Sequence, residues 1–249
     1  MLMNMNIRKH WDNESVTYNS FVVKGFSIKK EREAWQNLFL DVFRTRSLRL
    51  LDVGCGPGIV SMQLADLGYH MTAVDFSEEM LAAAIKNAAD NNLKIDFHHG
   101  DAESLPFEDE SFEGIVSDYM LWTVPHPEKV ISEWFRVLKP GCRIAYVDGN
   151  WFSDPKMTKF NLFLSACGVF LDSPSRCLHK KRAEQSEMHR LWSVNASRPS
   201  DDIKMMEKAG FTDIAVKHNI QDQVLHGIRR LAHGSTNDHF MITAVKPTF

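Results

Sequence analysis

The sequence predicts an α/β fold with a mostly parallel sheet, and three observations lead to this prediction. Short apolar runs alternate with amphipathic segments from Arg49 onward, and the first run ends in a glycine-rich turn before a helical pattern. The chain has 249 residues, of which 44% are hydrophobic, so it can bury one sizeable core. Buried strands that alternate with helices form right-handed βαβ crossovers, which place helices on both faces of the sheet.

Each element has its own signal. Ala34, Leu38 and Val42 fall near helical spacing and predict an amphipathic helix over 29–44. Ser77 can cap the N-terminus of one helix, and Gly68 is expected to end the helix before it. The other predicted elements are strands 49–53, 71–74, 95–98, 114–117, 143–147, 211–216 and 239–245, with helices 59–67, 77–89, 128–137 and 200–208. Too little helix separates the last two strands for a crossover, so they should close a seven-stranded sheet as a hairpin-like pair.

The chain is predicted to form one domain over residues 1–249, beginning with a helical segment over 1–46. Residues 151–198 break the alternation, because they hold aromatic and basic residues without a clean strand pattern, and they are predicted to form a helical lid. Trp151 and Phe152 directly follow the fifth strand, so we expect them above the carboxyl edge of the sheet, where a substrate would lie.

Composition narrows the class of protein. The formal net charge is −3, and the dense basic cluster at 180–182 is interpreted as a solvated helix face, so no nucleic-acid partner is expected. The four cysteines form no CxxC pair, which is typical of a reducing compartment and gives no zinc motif. The longest apolar stretch, 162–171, is about half of what a membrane span needs. We therefore expect a cytoplasmic monomer or homodimer with no membrane span and no metal.

The sharpest motif is the glycine turn at 54–58, which joins the first strand to a helix. Glycine permits positive φ and close approach to a ligand, and the following helix presents free N–H groups. A dinucleotide site would have its third glycine one residue later, where Ile59 stands. Asp52 would also repel a pyrophosphate but attract an ammonium group, such as the amine of a methionyl moiety. These two features disfavour an oxidoreductase that binds nicotinamide or flavin.

Acidic residues follow the next two strands. Asp75 ends the second strand and can accept both hydroxyls of an adenosine ribose, although a carboxylate that stabilises a helix N-terminus would look the same. Asp101 lies in the loop after the third strand, where it can accept from an exocyclic amine while the N–H of Ala102 faces a ring nitrogen. Both positions lie at the carboxyl edge, where open α/β sheets bind ligands.

A family resemblance rests on four ordered segments, with Trp11-Asp12 and Tyr18 near the N-terminus. The segments are LDVGCGPG at 51–58, VDFSEEM at 74–80, GDAESLPF at 100–107 and RVLKPG at 136–141. Together they resemble the class I S-adenosylmethionine-dependent methyltransferases, particularly those of the ubiquinone/menaquinone-biosynthesis C-methyltransferase type. The resemblance covers about residues 11–148, with a looser match over 199–246. It implies a Rossmann-like sheet and methyl transfer from S-adenosylmethionine to a small-molecule acceptor, which leaves S-adenosylhomocysteine.

The resemblance also implies roles for the matched residues. Phe76 and Met80 would flank the adenine, Ser117 would lie beside the methionyl portion, and Tyr18 would close over it. The implied cofactor-binding residues are Tyr18, Asp52, Gly54, Cys55, Gly56, Gly58, Asp75, Phe76, Met80, Asp101, Ala102 and Ser117.

The acceptor side departs from the family pattern. Relatives often carry a histidine-containing segment after the fourth strand, whereas Trp122 stands near that position here. Asp118 and Tyr119 are expected to approach the transferred methyl group, as hydrogen-bonding groups or as a base, and no catalytic residue is assigned. The predicted acceptor-binding residues are Asp118, Tyr119, Trp122, Trp151 and Phe152. A non-catalytic protein that binds the cofactor as a regulator or partner is the alternative, because binding and transfer use the same residues.

Overall fold

A computed structural model describes residues 2–151, 191–227, 229–230 and 238–248. The strands are β1 (Arg49–Val53), β2 (His70–Asp75), β3 (Asp96–His99), β4 (Phe112–Asp118), β5 (Leu138–Gly149), β6 (Thr212–Lys217) and β7 (His239–Val245). They form one sheet in the order β3-β2-β1-β4-β5-β7-β6. β1 to β5 are parallel, and β7 pairs antiparallel with both β5 and β6. The predicted seven-stranded, mostly parallel sheet and its hairpin-like closing pair are confirmed.

Helices connect the strands and cover the sheet. In the described residues these are α1 (Leu2–Ser27), α2 (Lys29–Leu40), α3 (Ile59–Asp66), α4 (Glu78–Asp90), α5 (Pro127–Val137), α6 (Ser200–Ala209) and α7 (Ile220–Val224). The Ser77 hydroxyl accepts the backbone N–H of Met80 at 3.1 Å, so the predicted N-cap of α4 is confirmed. Gly68 adopts φ +94° just beyond α3, in the left-handed conformation that commonly ends a helix.

Alternate strand residues face two separate cores. Leu50, Val116 and Val147 pack on one face against α2, α3 and α7, in a cluster with Phe39 and Leu64. The intervening strand residues pack on the other face against α5 and α6, around the fully buried Trp134. This alternation follows from the period of two in strand side chains, and it confirms the prediction of helices on both faces.

β5 begins earlier than its predicted start at residue 143, because the Lys139-Pro140-Gly141 run lies within the strand. Leu138 pairs with Phe112, but the next register pair is Arg143 with Gly114, so extra residues bulge out of β5. A bulge accommodates Pro140, which has no N–H to give to the ladder.

The described part of the predicted N-terminal segment consists of α1 and α2. Of the predicted lid, only Trp151 and residues 191–198 are described; residues 152–190, and with them Phe152, lie outside the described residues. The division into one domain and a lid stays a prediction. In the ranges that the structure describes, no helix has both the length and the apolar character of a membrane span.

Candidate active site

A cavity of about 600 Å³ opens at the carboxyl ends of the central strands. β1 and β4 are neighbours in the sheet although β2 and β3 lie between them in sequence, so the strand order reverses there. The loops that follow two such strands diverge and leave a crevice, which is the usual ligand site of open α/β sheets. Loops after β1, β2, β3 and β4 line the cavity together with one side of α1, and its volume lies in the range of small-molecule sites.

The glycine turn forms the floor of this cavity. Gly54 and Gly56 adopt φ +70° and +53°, which favours glycine at both positions. A Cβ at Gly54 would lie 2.2 Å from Cγ of Met120, so the β1 and β4 loops can approach this closely only without a side chain there. The N–H of Gly54 donates to the carbonyl of Val74 at 2.8 Å, which ties the turn to β2.

Asp75 holds the glycine turn from the end of β2. One of its carboxylate oxygens accepts the N–H of Gly56 at 2.7 Å, and the other accepts the N–H of Ser77 at 2.8 Å. Burial raises the pKa of Asp75, and these backbone hydrogen bonds oppose that rise. Because each carboxylate oxygen has a second lone pair, Asp75 can still accept from two hydroxyls in the cavity.

Asp52 lies beneath the turn and is almost fully buried. The hydroxyl of Ser61 donates to one of its oxygens at 2.6 Å, while the other oxygen is buried without a hydrogen-bond partner among the described residues. Burial raises the pKa of Asp52 to about 7, and the charge of Asp75 adds to the rise. A cation in the cavity would lower this pKa and would offset the repulsion from Asp75, since an opposite charge favours the ionised carboxyl group.

The third loop and the start of α4 form the side wall next to Asp75. The Asp101 carboxylate accepts the N–H of Glu103 at 2.9 Å, which shapes the loop that carries Ala102. The ring of Phe76 stacks on His99 with centroids 6.3 Å apart, and it lies between this loop and α4. These residues line the cavity, as does Met80.

One stripe of α1 lies across the cavity. Residues spaced three or four apart line it, namely Ile7, Trp11, Glu14, Tyr18 and Phe21. The rings of Trp11 and Tyr18 make an edge contact with centroids 5.7 Å apart. This spacing is one face of an α-helix, so α1 covers the cavity along its length.

Polar contacts hold α1 against α4. The hydroxyl of Ser77 donates to Asp12 at 2.5 Å, and the side-chain amide of Asn87 donates to Asn19 at 2.8 Å. The Asn87 amide also donates to the carbonyl of Pro57 at 3.0 Å, so one side chain joins α1, α4 and the glycine turn.

An aromatic wall forms the opposite end of the cavity. Trp151 contacts three rings, with centroid distances of 5.3 Å to Tyr119, 5.5 Å to Trp122 and 4.8 Å to His239. All four residues line the cavity. Tyr119 adopts φ +52°, which is uncommon for a residue with a side chain and is found more often at functional sites.

A neutral polar cluster sits within this wall. The Tyr119 hydroxyl lies 3.1 Å from Nδ1 of His239, and the Gln221 amide lies 3.4 Å from the Tyr119 hydroxyl. Burial lowers the pKa of His239 to about 4, so the imidazole is neutral near pH 7 and Nδ1 can accept the hydroxyl proton. Burial also raises the pKa of Tyr119 well above its ordinary value, which keeps the hydroxyl protonated.

Asp148, at the end of β5, positions the two tryptophans. One carboxylate oxygen accepts the backbone N–H of Trp122 at 3.0 Å, and the other accepts the indole N–H of Trp151 at 3.2 Å. The buried guanidinium of Arg198 donates to Asp148 at 3.0 Å and also pairs with Asp202. The wall is therefore fixed by a buried ionic network.

The structure brings most of the predicted site residues together. Those that line the cavity are Tyr18, Asp52, Gly54, Cys55, Gly56, Asp75, Phe76, Met80, Asp101, Ala102, Asp118, Tyr119, Trp122 and Trp151. The assignment of these residues to cofactor or acceptor stays a prediction.

Ser117 and Gly58 are not among the residues that line the cavity, and their predicted roles toward the cofactor stay predictions. Ser117 is buried on the other face of β4, where its hydroxyl donates to the carbonyl of Val53 at 2.7 Å. Gly58 precedes α3 with φ +81°, and a Cβ there would lie 3.1 Å from Cβ of Ala84 in α4. The missing side chain therefore allows the start of α3 to pack closely against α4.

The sequence prediction missed His239, Gln221 and, apart from Tyr18, the stripe of α1. His239 comes 120 residues after Tyr119 and joins it only because β7 pairs with β5, opposite Gly149. The α1 stripe had a readable signal, since Trp11 and Tyr18 are seven residues apart and therefore share a helix face. In the described part of the chain, no three His, Cys, Asp or Glu side chains are grouped as a metal site.

Comparison with known proteins identifies the family. The family described as "Methyltransferase domain" matches residues 51–146. A phosphatidylethanolamine N-methyltransferase from Cereibacter sphaeroides is 32% identical over 139 residues, which cover 55% of this chain and 68% of the relative. The chain belongs to the S-adenosylmethionine-dependent methyltransferase family.

Other relatives carry different names. A demethylmenaquinone methyltransferase from Clavibacter sepedonicus is 41% identical over 43% of this chain and 42% of its own length. A ubiquinone/menaquinone biosynthesis C-methyltransferase from Rhodopseudomonas palustris is 36% identical over 46% of this chain and 48% of its own length. The chain thus spans less than half the length of these two methyltransferases.

Solved structures confirm the fold. The phosphoethanolamine N-methyltransferase 2 of Haemonchus contortus, in complex with S-adenosylhomocysteine, is 18% identical with a TM-score of 0.59 over 85% of this chain and 53% of that one. The cyclase SpnF reaches the same TM-score at 20% identity, over 86% of this chain and 81% of its own. Since a cyclase shares this methyltransferase fold, the fold alone does not decide the reaction.

The residues of the cavity fit the cofactor of this methyltransferase family, S-adenosylmethionine. The unpartnered buried oxygens of Asp52 and Asp118 suit a ligand with an ammonium and a sulfonium charge. Asp75 and Asp101 offer carboxylate oxygens of the kind that hydroxyls and an exocyclic amine require. The glycines at 54 and 56 both line the cavity with positive φ, so the backbone of the turn faces a ligand there without intervening side chains.

Proposed function

We propose that this protein transfers the methyl group of S-adenosylmethionine to a small-molecule acceptor and leaves S-adenosylhomocysteine. The observation that carries the proposal is that one cavity joins the glycine turn and Asp75 to the aromatic wall of Tyr119, Trp122 and Trp151. A binding module for the cofactor alone has no need of a second, aromatic compartment next to the first. The proposal is also supported by the names of the three relatives described above, each of which is a methyltransferase.

We assign the two halves of the cavity as follows. The proposed cofactor-binding residues are Tyr18, Asp52, Gly54, Cys55, Gly56, Asp75, Phe76, Met80, Asp101 and Ala102. Asp75 would hold the ribose hydroxyls, and Asp52 would face the amine. Tyr119, Trp122 and Trp151 would contact the acceptor, while Asp118 lies at the boundary between the two halves.

The chemistry needs mainly positioning. When bound, the cofactor would supply a methyl group on a sulfonium sulfur, and an acceptor atom would attack the methyl carbon opposite the carbon–sulfur bond, so that the thioether leaves. When two reactants are held in one cavity, most of the rate enhancement can come from their orientation. Rigid cavity walls therefore contribute more to methyl transfer than a strong base would. Asp148 and the Tyr119–His239 contact supply that rigidity, and the aromatic faces stabilise positive charge near them.

The size and lining of the cavity support a small molecule as acceptor, and the net charge of −3 supports no nucleic-acid partner. A cytoplasmic location is part of the proposal and is supported by Cys55 and Cys142, which are free thiols. We also propose that the protein is a monomer or a homodimer, as expected from the sequence.

Parallel titration calorimetry with S-adenosylmethionine, S-adenosylhomocysteine and NAD tests the proposal, followed by a panel of small-molecule acceptors with S-adenosylhomocysteine release as readout. We expect micromolar binding of both adenosyl ligands, no binding of NAD, and turnover with at least one acceptor class. Binding without turnover on the whole panel would favour the regulatory alternative. Binding of NAD alone would overturn the cofactor assignment.

A further inference from the structure

Two carboxyl groups at the bottom of the cavity each keep one buried oxygen without a partner. These atoms are Oδ1 of Asp52 and Oδ1 of Asp118, and both residues line the cavity. In the described ranges no lysine, arginine or histidine forms a salt bridge with either residue. Buried polar atoms are almost always hydrogen-bonded in folded proteins, so two unpartnered oxygens on residues that line one cavity are an exception that a bound cation beside the carboxyl groups would account for.

The sheet register places the two carboxyl groups near each other. Asp52 of β1 pairs with Val116 of β4, so Asp118 lies two residues further along β4 on the same face. Asp118 follows the strand into the loop that carries Tyr119 and the aromatic wall, whereas Asp52 lies under the glycine turn. Asp118 is therefore the carboxyl group at the junction of the two halves, where the transferred group must lie if the proposed function is right.

The surroundings of both groups are acidic. Asp118 faces the charges of Asp52 on β1 and Asp148 on β5, of which Asp148 is already paired with Arg198. Burial is the largest cause that raises the pKa of Asp118 well above its ordinary value, and these two charges add to the rise. Asp52 also faces Asp75 on β2. Like charges that lie close together in a buried site oppose joint ionisation, so a cation that enters beside these carboxyl groups favours their ionised form.

We propose that Asp118 distinguishes the sulfonium of S-adenosylmethionine from the neutral thioether of S-adenosylhomocysteine, so that the product is held less firmly than the cofactor. This inference rests on the proposed function. The two ligands share the amine, the ribose and the adenine, and they differ in one methyl group and one positive charge. Asp52, near the shared amine, serves both ligands equally, whereas Asp118 serves only the charged one.

The step is balanced in charge and atoms. The bond from the acceptor to the methyl carbon forms, the bond from sulfur to that carbon breaks, and the electron pair stays on sulfur. The acceptor loses one proton, and Asp118 takes up one proton when the positive charge beside it disappears. The attraction between Asp118 and the sulfonium then no longer contributes to the binding of the product.

Calorimetric titrations of the wild type, Asp118→Asn and Asp52→Asn with S-adenosylmethionine and S-adenosylhomocysteine test this. Each is run in two buffers that differ in ionisation enthalpy, so that the protons released can be counted. In the wild type we expect S-adenosylmethionine to release more protons than S-adenosylhomocysteine. In Asp118→Asn we expect the affinity for S-adenosylmethionine to fall about tenfold, which is the free-energy equivalent of one pKa unit, while the affinity for S-adenosylhomocysteine changes little. The difference in proton release should disappear.

Asp52→Asn is the matched control, because the same substitution on the neighbouring strand should lower the affinities for both ligands by the same factor. Thermal unfolding verifies that each variant is folded, and Asp118→Ser is the second variant if Asp118→Asn does not fold. An equal loss for both ligands in the Asp118 variants, or equal proton release in the wild type, would overturn the discrimination while leaving the proposed function intact. If neither ligand binds the wild type, the proposed function itself fails.

Discussion

At the scale of single residues, the cofactor half of the cavity is built from carboxylates that hold backbone N–H groups. Asp75 is the clearest example, because its two oxygens fix Gly56 and Ser77 while the group still lines the cavity. The same carboxylate therefore shapes the turn and remains available to a ligand. Asp52 differs, since a hydroxyl satisfies only one of its oxygens. Ligand binding and local structure thus depend on the same side chains.

Substitution Asp75→Ala removes both functions of this carboxylate. We expect the affinity for S-adenosylmethionine to fall by about 1–3 kcal/mol, because the ribose hydroxyls and the two N–H groups lose their acceptor. Titration calorimetry measures the change. Asp96→Ala is a fitting control, since Asp96 is exposed at the start of β3 and contacts only His98 among the described residues. Unchanged affinity in Asp75→Ala would remove the ribose assignment.

Gly54→Ala tests the close approach between the loops after β1 and β4. The new Cβ would lie 2.2 Å from Met120 Cγ at a φ of +70°, so we expect both a lower unfolding temperature and a weakened binding of S-adenosylmethionine. Gly68→Ala gives the comparison, because φ is +94° there but no atom lies within 4 Å of the new Cβ. It should lose stability through backbone strain alone and keep its affinity. Equal affinity of both variants would show that Met120 moves aside freely.

At the scale of elements, the strand ends decide where chemistry can occur. The alternation of apolar and polar segments predicts these ends, because a buried parallel strand must stop where the glycine or polar residues begin. The network at the end of β5 is not predictable in this way, since Asp148 meets Trp122 and Arg198 across separations of 26 and 50 residues. Only the sheet order brings these three residues together.

Asp148→Asn tests whether this network positions the acceptor half of the cavity. We expect the free energy of unfolding to fall by about 3 kcal/mol, because the buried Arg198 loses one of its two carboxylate partners. Tryptophan fluorescence should change as well, since the amide replaces one of the two oxygens, so that either the backbone N–H of Trp122 or the indole N–H of Trp151 loses its acceptor. Urea unfolding and emission spectra give the two readouts.

Asp202→Asn is the control for this network. It removes the other partner of Arg198 but bonds neither Trp122 nor Trp151, so it should lose stability with a smaller change in the emission spectrum than Asp148→Asn. In both variants the affinity for S-adenosylmethionine should change little, since the glycine turn and Asp75 are untouched. A large loss of that affinity in Asp148→Asn would mean that the two halves of the cavity are coupled.

At the scale of the whole molecule, the sequence predicts the features that depend on local hydrophobic periodicity. It does not predict the features that depend on which distant strands pair with each other. The seven strands and most of the cavity follow from motifs that are local in sequence. Ser117 is one example of a feature that depends on pairing, because it lies on the opposite face of β4 from Asp118. Which of the two side chains faces the cavity depends on how β4 pairs with β1. His239 is another, because it reaches Tyr119 only through an antiparallel pairing at the far end of the chain. Long-range pairing, rather than composition, decides both positions.

The buried titratable groups of the cavity together set how stability depends on pH. The folded-state pKa of Asp52 is raised to about 7, and that of Asp118 is raised too, so the folded protein binds more protons than the unfolded chain below about pH 7. Stability therefore rises as the pH falls toward the unfolded carboxyl values. His239 acts oppositely, because its pKa is lowered to about 4 in the folded protein and the unfolded chain binds a proton first. Its contribution is lost as the pH falls from about 6.5 to about 4.

These signs predict that the free energy of unfolding of the ligand-free protein falls as the pH rises from about 5 to about 7, because two carboxyl groups with raised pKa values outweigh the single histidine that opposes them below about pH 6.5. Urea unfolding between about pH 5 and about pH 8.5 measures it, with slopes up to about 1.4 kcal/mol per pH unit for each group. Asp52→Asn should make this decline shallower, whereas His239→Asn should make it steeper below about pH 6.5. Stability that climbs steadily to about pH 8.5 would show that the cavity carboxyl groups are ionised without a ligand, since only buried protonated carboxyls lose stability as the pH rises.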